Sequence, residues 1–490
     1  MLSADDVRVL DLNSAWHGVP PSILMQNAGR AVADHAMRSF RPRRVLVLAG
    51  LGNNGGDAAV AARHLTDAGC IVTLLYSGDS QKIQTGEARL ARDALDGRRV
   101  RIETFRTEKR LQHLLREADL VIDGLLGVGV SGELREPVRT IVRLANASRK
   151  PTLSIDVPTG FGGKTQVRPK STVTLHDRKT GMRPSNSGTI KVADIGIPEA
   201  AETDVGPGDL AVHYPRPHPE SHKGENGRLL AVLGGPYTGA PILGSLAALR
   251  TGCDIVRLCA PLEAAHAAQA HSPDLIVHPG NEARTLVADD IAGIEPLLDQ
   301  TTAVLTGSGL GTSRATQTAV ERLLSVTQRA RVPIVIDAEA LTVAGRHPEL
   351  LKGRPVLCTP HAGEYKRLTG EAAPKGDAGA TKVSATARRL RATILLKAPT
   401  SIITDGPRVR LGRIHPRGLT AGGIGDVLAG SCAALMAKGL EPWRAANAAS
   451  FLVGAAARRA QASHGWGTRA TDVLPEMGRV LRDWVPLDAG

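Results

Sequence analysis

Short apolar runs alternate with longer helix-like segments along the first half of the chain. The chain opens on a helical pattern from about Ala4 to Phe40. The Val-, Ile- and Leu-rich runs that follow have the length of buried strands, and Ala-, Leu- and Arg-rich sequence separates most of them. These predicted strands are Val45–Ala49, Ile71–Tyr76, Leu120–Asp123, Thr152–Val157 and Thr172–Leu175. Strand–helix–strand alternation predicts a parallel sheet with helices on both faces.

The second half repeats this alternation without repeating the sequence. Its predicted strands are Leu229–Leu233, Ile255–Cys259, Leu275–His278, Ala303–Thr306, Pro333–Asp337, Pro355–Cys358, Thr393–Leu396 and Ser401–Thr404. A long helical region is predicted from Asp426 to His464. Between the halves, Ile197–Gly224 is rich in Pro, Gly and His, which favours an inter-domain linker. We therefore predict two domains, over residues 1–213 and 214–490.

Composition narrows the class of protein. Of the 490 residues 42% are hydrophobic but only 2% aromatic, so Ala, Val, Leu and Ile must fill the cores. The net charge of +13 is spread along the chain without aromatic interleaving, so nucleic-acid binding is not expected. No apolar run is long enough to predict a membrane span or a signal peptide. The five cysteines form no CxxC pair, which argues against zinc and favours a reducing, cytoplasmic compartment.

A glycine loop in the first half predicts a phosphate-binding site. The strand Val45–Ala49 runs into Gly-Leu-Gly-Asn-Asn-Gly-Gly-Asp at 50–57, and a helix pattern follows from about Ala58. Free N–H groups and the dipole at such a helix start favour an anion. The loop also fits the G-x-G-x-x-G of dehydrogenases, but the acidic residue expected after the next strand comes late, as Asp79. A dehydrogenase, a tight turn without ligand and another kind of site stay open here.

Two further segments are expected to meet this loop. Asp123 ends one predicted strand, and Asp156 and Thr159 end or follow the next. Because the carboxyl ends of the strands surround the ligand crevice of an open α/β sheet, these side chains should converge. Their oxygens could hold a cation or a substrate hydroxyl. Each Asp could equally cap a loop or a helix.

A second glycine loop, Thr420-Ala-Gly-Gly-Ile-Gly-Asp426, precedes a helix pattern in the second half. Glycines and an Asp at a helix start favour an anion hole that stabilises a transferring phosphoryl group, with Asp426 accepting a proton from the attacking hydroxyl. An Asp that only caps the helix is the alternative. Polar segments also follow other predicted strands, where Lys397 could meet a nucleotide phosphate and His361 could face the ligand.

The ordered motifs resemble those of two known families. The first half is similar to NAD(P)H-hydrate epimerases through GLGNNGGD (50–57), DGLLGVGVSGELREP (123–137), SIDVPTGF (154–161) and VADIGIP (192–198). The second half is similar to ADP- or ATP-dependent NAD(P)H-hydrate dehydratases through HKGENGRLLAVLGG (222–235), YTGAP (237–241), TGSGLG (306–311), VIDAEAL (335–341), TPHAGEYKRL (359–368), LLKAPT (395–400) and AGGIGDVLAG (421–430). The order matches the fused bifunctional form of the YjeF type. The implied α/β fold is a Rossmann-like three-layer domain followed by a ribokinase-like domain.

The resemblance implies repair of hydrated nicotinamide cofactors. Water added across a ring double bond gives R and S hydrates, NADHX and NADPHX, which dehydrogenases cannot use. The first domain would interconvert the two epimers. The second would convert the S form back to the cofactor at the expense of ADP or ATP, releasing phosphate and AMP or ADP. The resemblance also implies K⁺ in the first domain, Mg²⁺ with the nucleotide in the second, and a homo-oligomer.

The resemblance further implies roles for individual residues. The hydrate in the first domain would contact Asn53, Asn54, Gly55, Gly56, Asp57, Gly127, Val128, Gly129, Val130, Ser131, Gly132, Glu133 and the catalytic Asp156. Potassium would be held by Asn54, Asp123 and Thr159. The S hydrate in the second domain would contact Ala240, Gly309, Gly311, His361 and the catalytic Asp426. The nucleotide would contact Lys397, Ala398, Pro399, Thr400, Ser401 and Gly425.

Three positions depart from the family motifs. Ala58 and Ala398 stand where glycine is usual, and Ile424 replaces a threonine. No charged catalytic group is lost, so these departures bear on nucleotide affinity or choice more than on the reaction class. Two other functions stay open: a small-molecule kinase of the ribokinase type, and a first domain that only binds a partner.

Overall fold

The chain folds into two compact units in a computed structural model, which describes residues 1–130, 132–374, 376 and 379–487. The units are Met1–Ala201 and Glu202–Gly490, whereas the sequence placed the domain boundary after residue 213. Each unit has a central sheet with helices packed against it, which confirms the predicted α/β class. Among the described residues, none of the helices is long and apolar enough to cross a membrane.

The first unit is built on a parallel sheet. Its strands are β1 (Arg44–Ala49), β2 (Ile71–Tyr76), β3 (Val100–Thr104), β4 (Leu120–Gly124), β5 (Thr152–Ile155), β6 (Ser171–Leu175) and β7 (Thr189–Ala193). Its helices are α1 (Ala4–Trp16), α2 (Pro21–Ser39), α3 (Asn53–Asp67), α4 (Gly86–Asp93), α5 (Glu108–Glu117), α6 (Val138–Ala147) and α7 (Pro184–Ser187). The strand order is β3-β2-β1-β4-β5-β6-β7, and every neighbouring pair is parallel.

The sequence pattern missed some boundaries in this unit. The predicted helix Ala4–Phe40 is two helices, because Gly18 adopts φ +87° and two prolines follow at positions 20 and 21. The strands β3 and β7 were not predicted. Both are edge strands whose residues are mostly half-buried or exposed, so their polar side chains break the apolar run that identified the buried strands.

Gly124 lets helix α3 pack closely on the end of β4. A Cβ at position 124 would lie only 2.5 Å from the Cβ of Ala58 on α3, too close for both methyl groups. Ala58 itself is fully buried. The alanine that departs from the family motif is therefore accommodated by the missing side chain of Gly124.

We expect Gly124→Ala to lower the stability of the first unit by about 1–3 kcal/mol, since an added methyl overpacks this contact. Denaturant unfolding measures the change. The double variant Gly124→Ala/Ala58→Gly should recover part of the loss. Gly86→Ala is the matched control, because a Cβ there meets nothing within 4 Å. Equal losses in Gly124→Ala and Gly86→Ala would contradict this account.

Part of the segment taken for a linker is folded. α8 (Glu199–Thr203) and α9 (Pro207–Ala211) lie within the predicted linker. Val205 donates its N–H to Leu411 O at 2.9 Å, and Asp209 accepts a bond from Arg410 at 3.1 Å. The linker prediction was wrong for residues 202–211, because a Pro- and Gly-rich composition also suits short helices held by long-range contacts.

The second unit has a larger, mixed sheet. Its strands are β8 (Arg228–Val232), β9 (Ile255–Ala260), β10 (Ile276–Pro279), β11 (Ala303–Thr306), β12 (Ile334–Ile336), β13 (Val356–Cys358), β14 (Thr393–Leu396), β15 (Ser401–Thr404) and β16 (Val409–Gly412). Its longer helices are α10 (Gly239–Arg250), α11 (Leu262–His271), α12 (Ala288–Ile294), α13 (Arg314–Arg329), α14 (Ala340–Arg346), α15 (Ala362–Thr369), α16 (Ala380–Leu390), α17 (Ile424–Ala437), α18 (Pro442–His464) and α19 (Ala470–Trp484).

The strand order of this sheet is β10-β9-β8-β11-β12-β13-β14-β15-β16. The strands from β10 to β14 are parallel, and β15 and β16 add an antiparallel edge. Every strand predicted in this half is present, whereas β16 was not predicted because Arg410 interrupts its short apolar run. The helical region predicted from Asp426 to His464 is two helices that break at Gly439, where φ is +97°.

Candidate active sites

A cavity of about 550 Å³ opens at the carboxyl ends of the strands of the first unit. It lies beside β1 and β4, where the strand order reverses direction along the chain. Such a switch point leaves a crevice between the loops that follow the two strands. The cavity therefore lies at the edge of the sheet where the sequence predicts the first site.

The glycine loop is shaped by packing against the protein itself. Helix α3 begins at Asn53, so the predicted start at about Ala58 was too late. A Cβ at Gly50 would meet Leu125 O at 1.8 Å, and one at Gly55 would meet Gly50 O at 2.0 Å. Gly50 is required where this loop passes the backbone after β4, and Gly55 where the start of α3 packs on the loop. Packing thus accounts for two of the three glycines in the dehydrogenase-like spacing, since a Cβ at Gly52 would meet nothing within 4 Å. Asp79 accepts a bond from Gln81 N at 3.0 Å and caps a short turn.

Asp123 is completely buried at the end of β4. Its carboxylate accepts hydrogen bonds from Thr159 Oγ1 at 2.6 Å, Thr159 N at 2.9 Å and Ser154 Oγ at 2.8 Å. Burial raises the pKa of Asp123, and these hydrogen bonds oppose the rise. The predicted convergence of Asp123 with Thr159 is thus present, although the threonine hydroxyl bonds directly to the carboxylate.

Asn54 lies close by, in the first turn of α3. Its amide Nδ2 is buried and has no hydrogen-bond partner among the described residues. A Cβ at Gly127 would stand 3.7 Å from Asn54 Oδ1, so the loop after β4 passes directly over this amide. A buried amide without a partner is costly in a native fold, so water or a ligand is expected to complete its bonding.

The ionisable side chains that line the same cavity include Asp11, Asp57, Asp156 and Lys179. Lys179 forms an ion pair with Asp156, and the ammonium is only 2% exposed. Asp156 adopts φ +64°, an uncommon conformation for a residue other than glycine, and one that marks functional sites. Burial, followed by the charges of Asp156 and Asp11, raises the pKa of Asp57 well above its usual value.

The predicted hydrate-binding residues divide among the cavities of this unit. The 550 Å³ cavity is lined by Asn53, Asn54, Asp57, Gly127, Val128, Gly129, Val130 and Asp156. A second cavity of about 580 Å³, which shares Gly127, Val128 and Val130 with the first, includes Gly132 and Glu133. Gly55 and Gly56 face protein atoms instead, and Ser131 lies outside the described residues.

Asp337 gathers three donors at the carboxyl ends of the second sheet. Its Oδ1 accepts from Lys397 Nζ at 2.7 Å and from Thr359 Oγ1 at 2.7 Å, while its Oδ2 accepts from Ser308 Oγ at 3.3 Å. Each donor follows a different strand, namely β14, β13 and β11. Asp337 itself follows β12 and is 2% exposed. This carboxylate therefore ties together the loops that surround the second site.

Lys397 points inward. Its ammonium also lies 3.6 Å from Glu364 Oε2, and a Cβ at Gly425 would stand 3.5 Å from Nζ. Burial lowers the pKa of Lys397, but the charges of Asp337 and Glu364 outweigh it and the net pKa is raised. A permanent cation thus stands beside the second glycine loop, where the sequence expected a contact with phosphate.

His361 caps helix α15. Its Nδ1 accepts from Gly363 N at 2.9 Å, and its Nε2 lies 3.1 Å from Glu364 Oε1. The backbone N–H of His361 donates to Glu364 Oε2 at 2.7 Å. The side chain is 54% exposed, so the imidazole can meet a ligand while it orders this turn.

Asp426 stands in the first turn of α17, which begins directly after Gly423. Burial raises the pKa of Asp426 to about 6, and Asp337 adds to this rise. Ser308 opposes it, since its hydroxyl lies within hydrogen-bonding reach of Asp426 as well as of Asp337. Ile424 is 9% exposed and packs in the hydrophobic core, so its side chain faces away from the helix end where an anion would bind.

The other predicted residues surround this helix end. Gly309 and Gly311 adopt φ +76° and +75°, and a Cβ at Gly309 would contact the methyl of Ala240 at 3.2 Å. In the segment Lys397, Ala398, Pro399, Thr400 and Ser401, Ser401 Oγ bonds to Ala398 O at 3.3 Å. Thr400 Oγ1 accepts from Arg413 at 3.2 Å. Ala398 is exposed, so its methyl group adds no clash within the protein.

Several site residues were not assigned from the sequence. Asp11 and Lys179 lie in segments without a recognisable motif, and only the fold brings them to the cavity. Asp337, Ser308 and Glu364 lie inside quoted motifs, and their position after strands was the available signal. Within the described part of the chain no group of His, Cys, Asp and Glu has the arrangement of a ready metal site.

Comparison with known proteins agrees with this division. Residues 230–479 match the family described as NAD(P)H-hydrate dehydratase, and residues 21–181 match the family described as YjeF-related protein N-terminus. A ribokinase-like superfamily protein of Enterococcus faecalis is 20% identical with a TM-score of 0.51, covering 58% of this chain and 96% of that protein. The protein thus joins a YjeF-type N-terminal unit to a unit with a ribokinase-like fold.

Full-length relatives have the same two parts. The Hyperthermus butylicus protein described as a bifunctional NAD(P)H-hydrate repair enzyme is 37% identical over 100% of this chain and 93% of its own length. Its counterpart from Pyrobaculum aerophilum is 38% identical over 98% of each chain. The chain belongs to the family of bifunctional NAD(P)H-hydrate repair enzymes.

Proposed function

We propose that this chain repairs hydrated NADH and NADPH at two separate sites. The first unit interconverts the R and S hydrates, and the second returns the S hydrate to the cofactor while ADP or ATP is consumed. Phosphate and AMP or ADP are released. The observation that carries this proposal is one chain with two sites: a cavity that holds buried carboxyl groups, and a helix end with a carboxylate and an ammonium beside it.

The second site has the groups that a phosphoryl transfer to a hydroxyl requires. Asp426 accepts the proton of the substrate hydroxyl, and the N–H groups at the start of α17 stabilise the negative charge of the transferring group. Lys397, held by Asp337 beside Gly425, adds positive charge there. Phosphate then leaves the ring carbon with the C–O electron pair, more readily than hydroxide would. The neighbouring ring carbon gives up a proton to the departing phosphate, and its C–H electron pair forms the double bond.

Mg²⁺ fits this site together with the nucleotide. A nucleotide-bound Mg²⁺ takes phosphate oxygens and needs only one or two carboxylates from the protein. Asp426, Asp337 and Glu364 supply carboxylate oxygens around Lys397. When bound, the ion would neutralise charge on the phosphates. We assign the nucleotide to Lys397–Ser401 and Gly425, and the S hydrate to the Ala240, Gly309, Gly311 and His361 side.

K⁺ fits the first site. Asn54, Asp123 and Thr159 offer an amide oxygen, a carboxylate and a hydroxyl, which are the hard oxygen donors that such a cation takes. Thr159 Oγ1 and Asp123 Oδ1 lie 2.6 Å apart, and the loop after β4 passes over Asn54 Oδ1. We assign the hydrate of this site to the cavity-lining residues around Asp57 and Asp156. The ion would supply fixed positive charge beside the substrate.

We further propose a homo-oligomer that acts in the cytoplasm. The five cysteines are free and buried, which suits a reducing compartment.

One assay tests the function. Purified protein is mixed with R and S hydrates, and ADP and ATP are supplied in separate reactions, each with K⁺ or Na⁺. Recovery of nearly all cofactor absorbance is expected with at least one nucleotide, whereas recovery of only the S fraction would mean that the first unit does not epimerise. Accumulation of a phosphorylated alcohol without phosphate release would favour a kinase and overturn the proposal. Equal epimerisation in K⁺ and Na⁺ would overturn the potassium assignment.

Dehydration should be lost as the pH falls through about 6, because burial holds the pKa of Asp426 there and only the carboxylate accepts a proton. Asp337→Asn removes a charge that raises this pKa, and it frees the Lys397 charge that lowers it. Both effects should move the acidic limb of the rate profile to lower pH, by up to ~1 unit. Glu339 adds a smaller rise that persists in the variant.

The measurement is kcat for dehydration against pH, saturating in S hydrate and nucleotide. Asp337→Asn should also lower kcat, so the position of the limb is the informative quantity. Asp289→Asn, an exposed residue of α12, is the control and should leave the profile in place. An unmoved limb in Asp337→Asn would show that the charge of Asp337 does not act on Asp426.

A further inference from the structure

The cavity of the first unit holds more acid than its one ammonium can balance. Its charged and titratable lining residues are Arg8, Asp11, Asp57, Asp156, His176 and Lys179. They come from different parts of the unit: helices α1 and α3, the end of β5 and the loop after β6. Arg8 donates to Asp5 at 2.5 Å. The distribution of protons among the three carboxyl groups therefore depends on where Lys179 is directed.

The ammonium of Lys179 is bound by groups on the β5 and β6 side of the cavity. Its ammonium pairs with Asp156 and donates to Leu175 O at 2.6 Å, and Thr174 Oγ1 lies 3.3 Å away. These three partners match the three N–H donors of an ammonium. The backbone N–H of Leu175 reaches Asp156 Oδ1 at 3.4 Å. The negative charge of Asp156 is thus balanced in place.

Unlike Asp156, which pairs with an ammonium, Asp57 and Asp11 lie in surroundings that raise their pKa. Burial is the main cause that raises the pKa of Asp57, and the charges of Asp156 and Asp11 add to it while Lys179 opposes them. Burial and then the charge of Asp156 raise the pKa of Asp11 to about 6. The cavity therefore contains a buried carboxyl group at Asp57 whose pKa is raised, and a second carboxyl group at Asp156 that is paired with an ammonium. Two carboxyl groups in contrasting environments are the usual basis for separate acid and base roles.

We propose that Asp57 is the general acid and Asp156 the general base of the epimerisation, and that Asp11 is a positioning residue whose charge keeps the proton on Asp57. This assignment rests on the proposed function of the first unit. In this assignment the proton donor lies on helix α3 and the proton acceptor lies directly after β5.

The chemistry of the substrate needs both groups. The hydrated ring carbon carries a hydroxyl and is bonded to the ring nitrogen. Asp156 takes the hydroxyl proton, the O–H electron pair forms the C=O bond, and the C–N bond breaks with its electron pair moving to nitrogen. The nitrogen takes the proton of Asp57. Rotation of the resulting aldehyde exposes its other face, and the reverse steps close the ring as the opposite epimer and return both protons.

No oxidant, reductant or second substrate enters these steps, so atoms and electrons balance over the cycle. The ring-opened route also avoids loss of water within the first unit. The hydrate then leaves as a hydrate and remains available to the second unit, where dehydration is coupled to the nucleotide.

The test follows equilibration of purified R hydrate into S hydrate by the full chain, without nucleotide, as a function of pH. A general acid must be protonated, so the rate should fall as the pH rises through the pKa of Asp57. Asp57→Asn should lower the maximal rate by ~100-fold or more. Asp11→Asn should move the alkaline limb to lower pH by ~1 unit. Asp67→Asn, at the exposed end of the same helix α3 and paired with Arg98, is the matched control and should coincide with the unmodified chain.

The outcomes distinguish a failure of epimerisation by the first unit from a failure of the roles assigned to Asp57 and Asp11. If the unmodified chain does not equilibrate the hydrates, the proposed function of the first unit fails. If it does, and Asp57→Asn keeps more than a tenth of the rate with the same alkaline limb, Asp57 is not the acid. An unmoved limb in Asp11→Asn overturns the role of Asp11. Thermal unfolding of the first unit shows whether each variant is folded there, and nucleotide-dependent dehydration of S hydrate shows whether the second unit is unaffected. Asp11→Asn leaves both reacting groups intact.

Discussion

Replacing Asp426 by asparagine is expected to abolish nucleotide-dependent dehydration while epimerisation continues. Asparagine has the shape of aspartate but cannot accept the hydroxyl proton, so kcat should fall by ~10²- to 10⁴-fold. The effect stays within the second unit, because Asp426 belongs to helix α17 and the epimerase cavity is lined entirely by residues of the first unit. The measurement pairs cofactor absorbance with chromatographic separation of the R and S hydrates.

Asp289→Asn provides the control for this experiment, since it makes the same chemical change at an exposed position of the second unit. It should leave both activities in place. Simultaneous loss of both activities in a folded Asp426→Asn variant would contradict two separate sites. Persistent dehydration would mean that another group accepts the proton.

The second large effect is on stability. Replacing Lys179 by methionine should destabilise the first unit by about 3 kcal/mol or more, because it leaves the carboxylate of Asp156 buried without its ion-pair partner. Lys179 and Asp156 are 2% and 10% exposed at their side chains, so water cannot replace the lost charge readily. Hydrogen exchange of the full chain should accelerate in β4, β5 and β6, while β11, β12 and β13 act as an internal reference.

Two further variants define this result. Lys191→Met removes an exposed lysine from β7 and should change exchange little. Lys179→Met/Asp156→Asn removes both charges of the buried pair and should recover much of the lost stability. If the double variant is no more stable than Lys179→Met, the loss comes from packing of the lysine stem and the ion-pair explanation is wrong.

The positions of the glycine-rich loops were predictable from local sequence, whereas the packing role of each glycine was not. The sequence predicted that each loop precedes a helix, as observed, because a glycine turn and a helix start are encoded within a few residues. The reason for the individual glycines was not visible in the same way. A Cβ at Gly50 or at Gly55 would lie 1.8 or 2.0 Å from a backbone oxygen, and one at Gly124 would overlap the methyl of Ala58.

The residues that depart from the family motifs are explained only by their surroundings. Ile424 lies in a hydrophobic core, so a side chain that looked like a change at the phosphate is a change in packing. Ala398 is exposed and meets no obstacle from the protein. Sequence comparison identifies such positions, but the direction of a side chain depends on the helix or loop that carries it.

By itself the sequence determined the α/β class, most buried strands, the two glycine sites and, through ordered motifs, the family. Each of these depends on patterns within short segments. Only the tertiary structure decided which charges meet: Lys179 with Asp156, Asp11 with Asp57, and Lys397 with Asp337, which are 60 residues apart in the chain. Burial and distance set proton affinity, and neither is defined until the strands are in register and the loops after them share one edge.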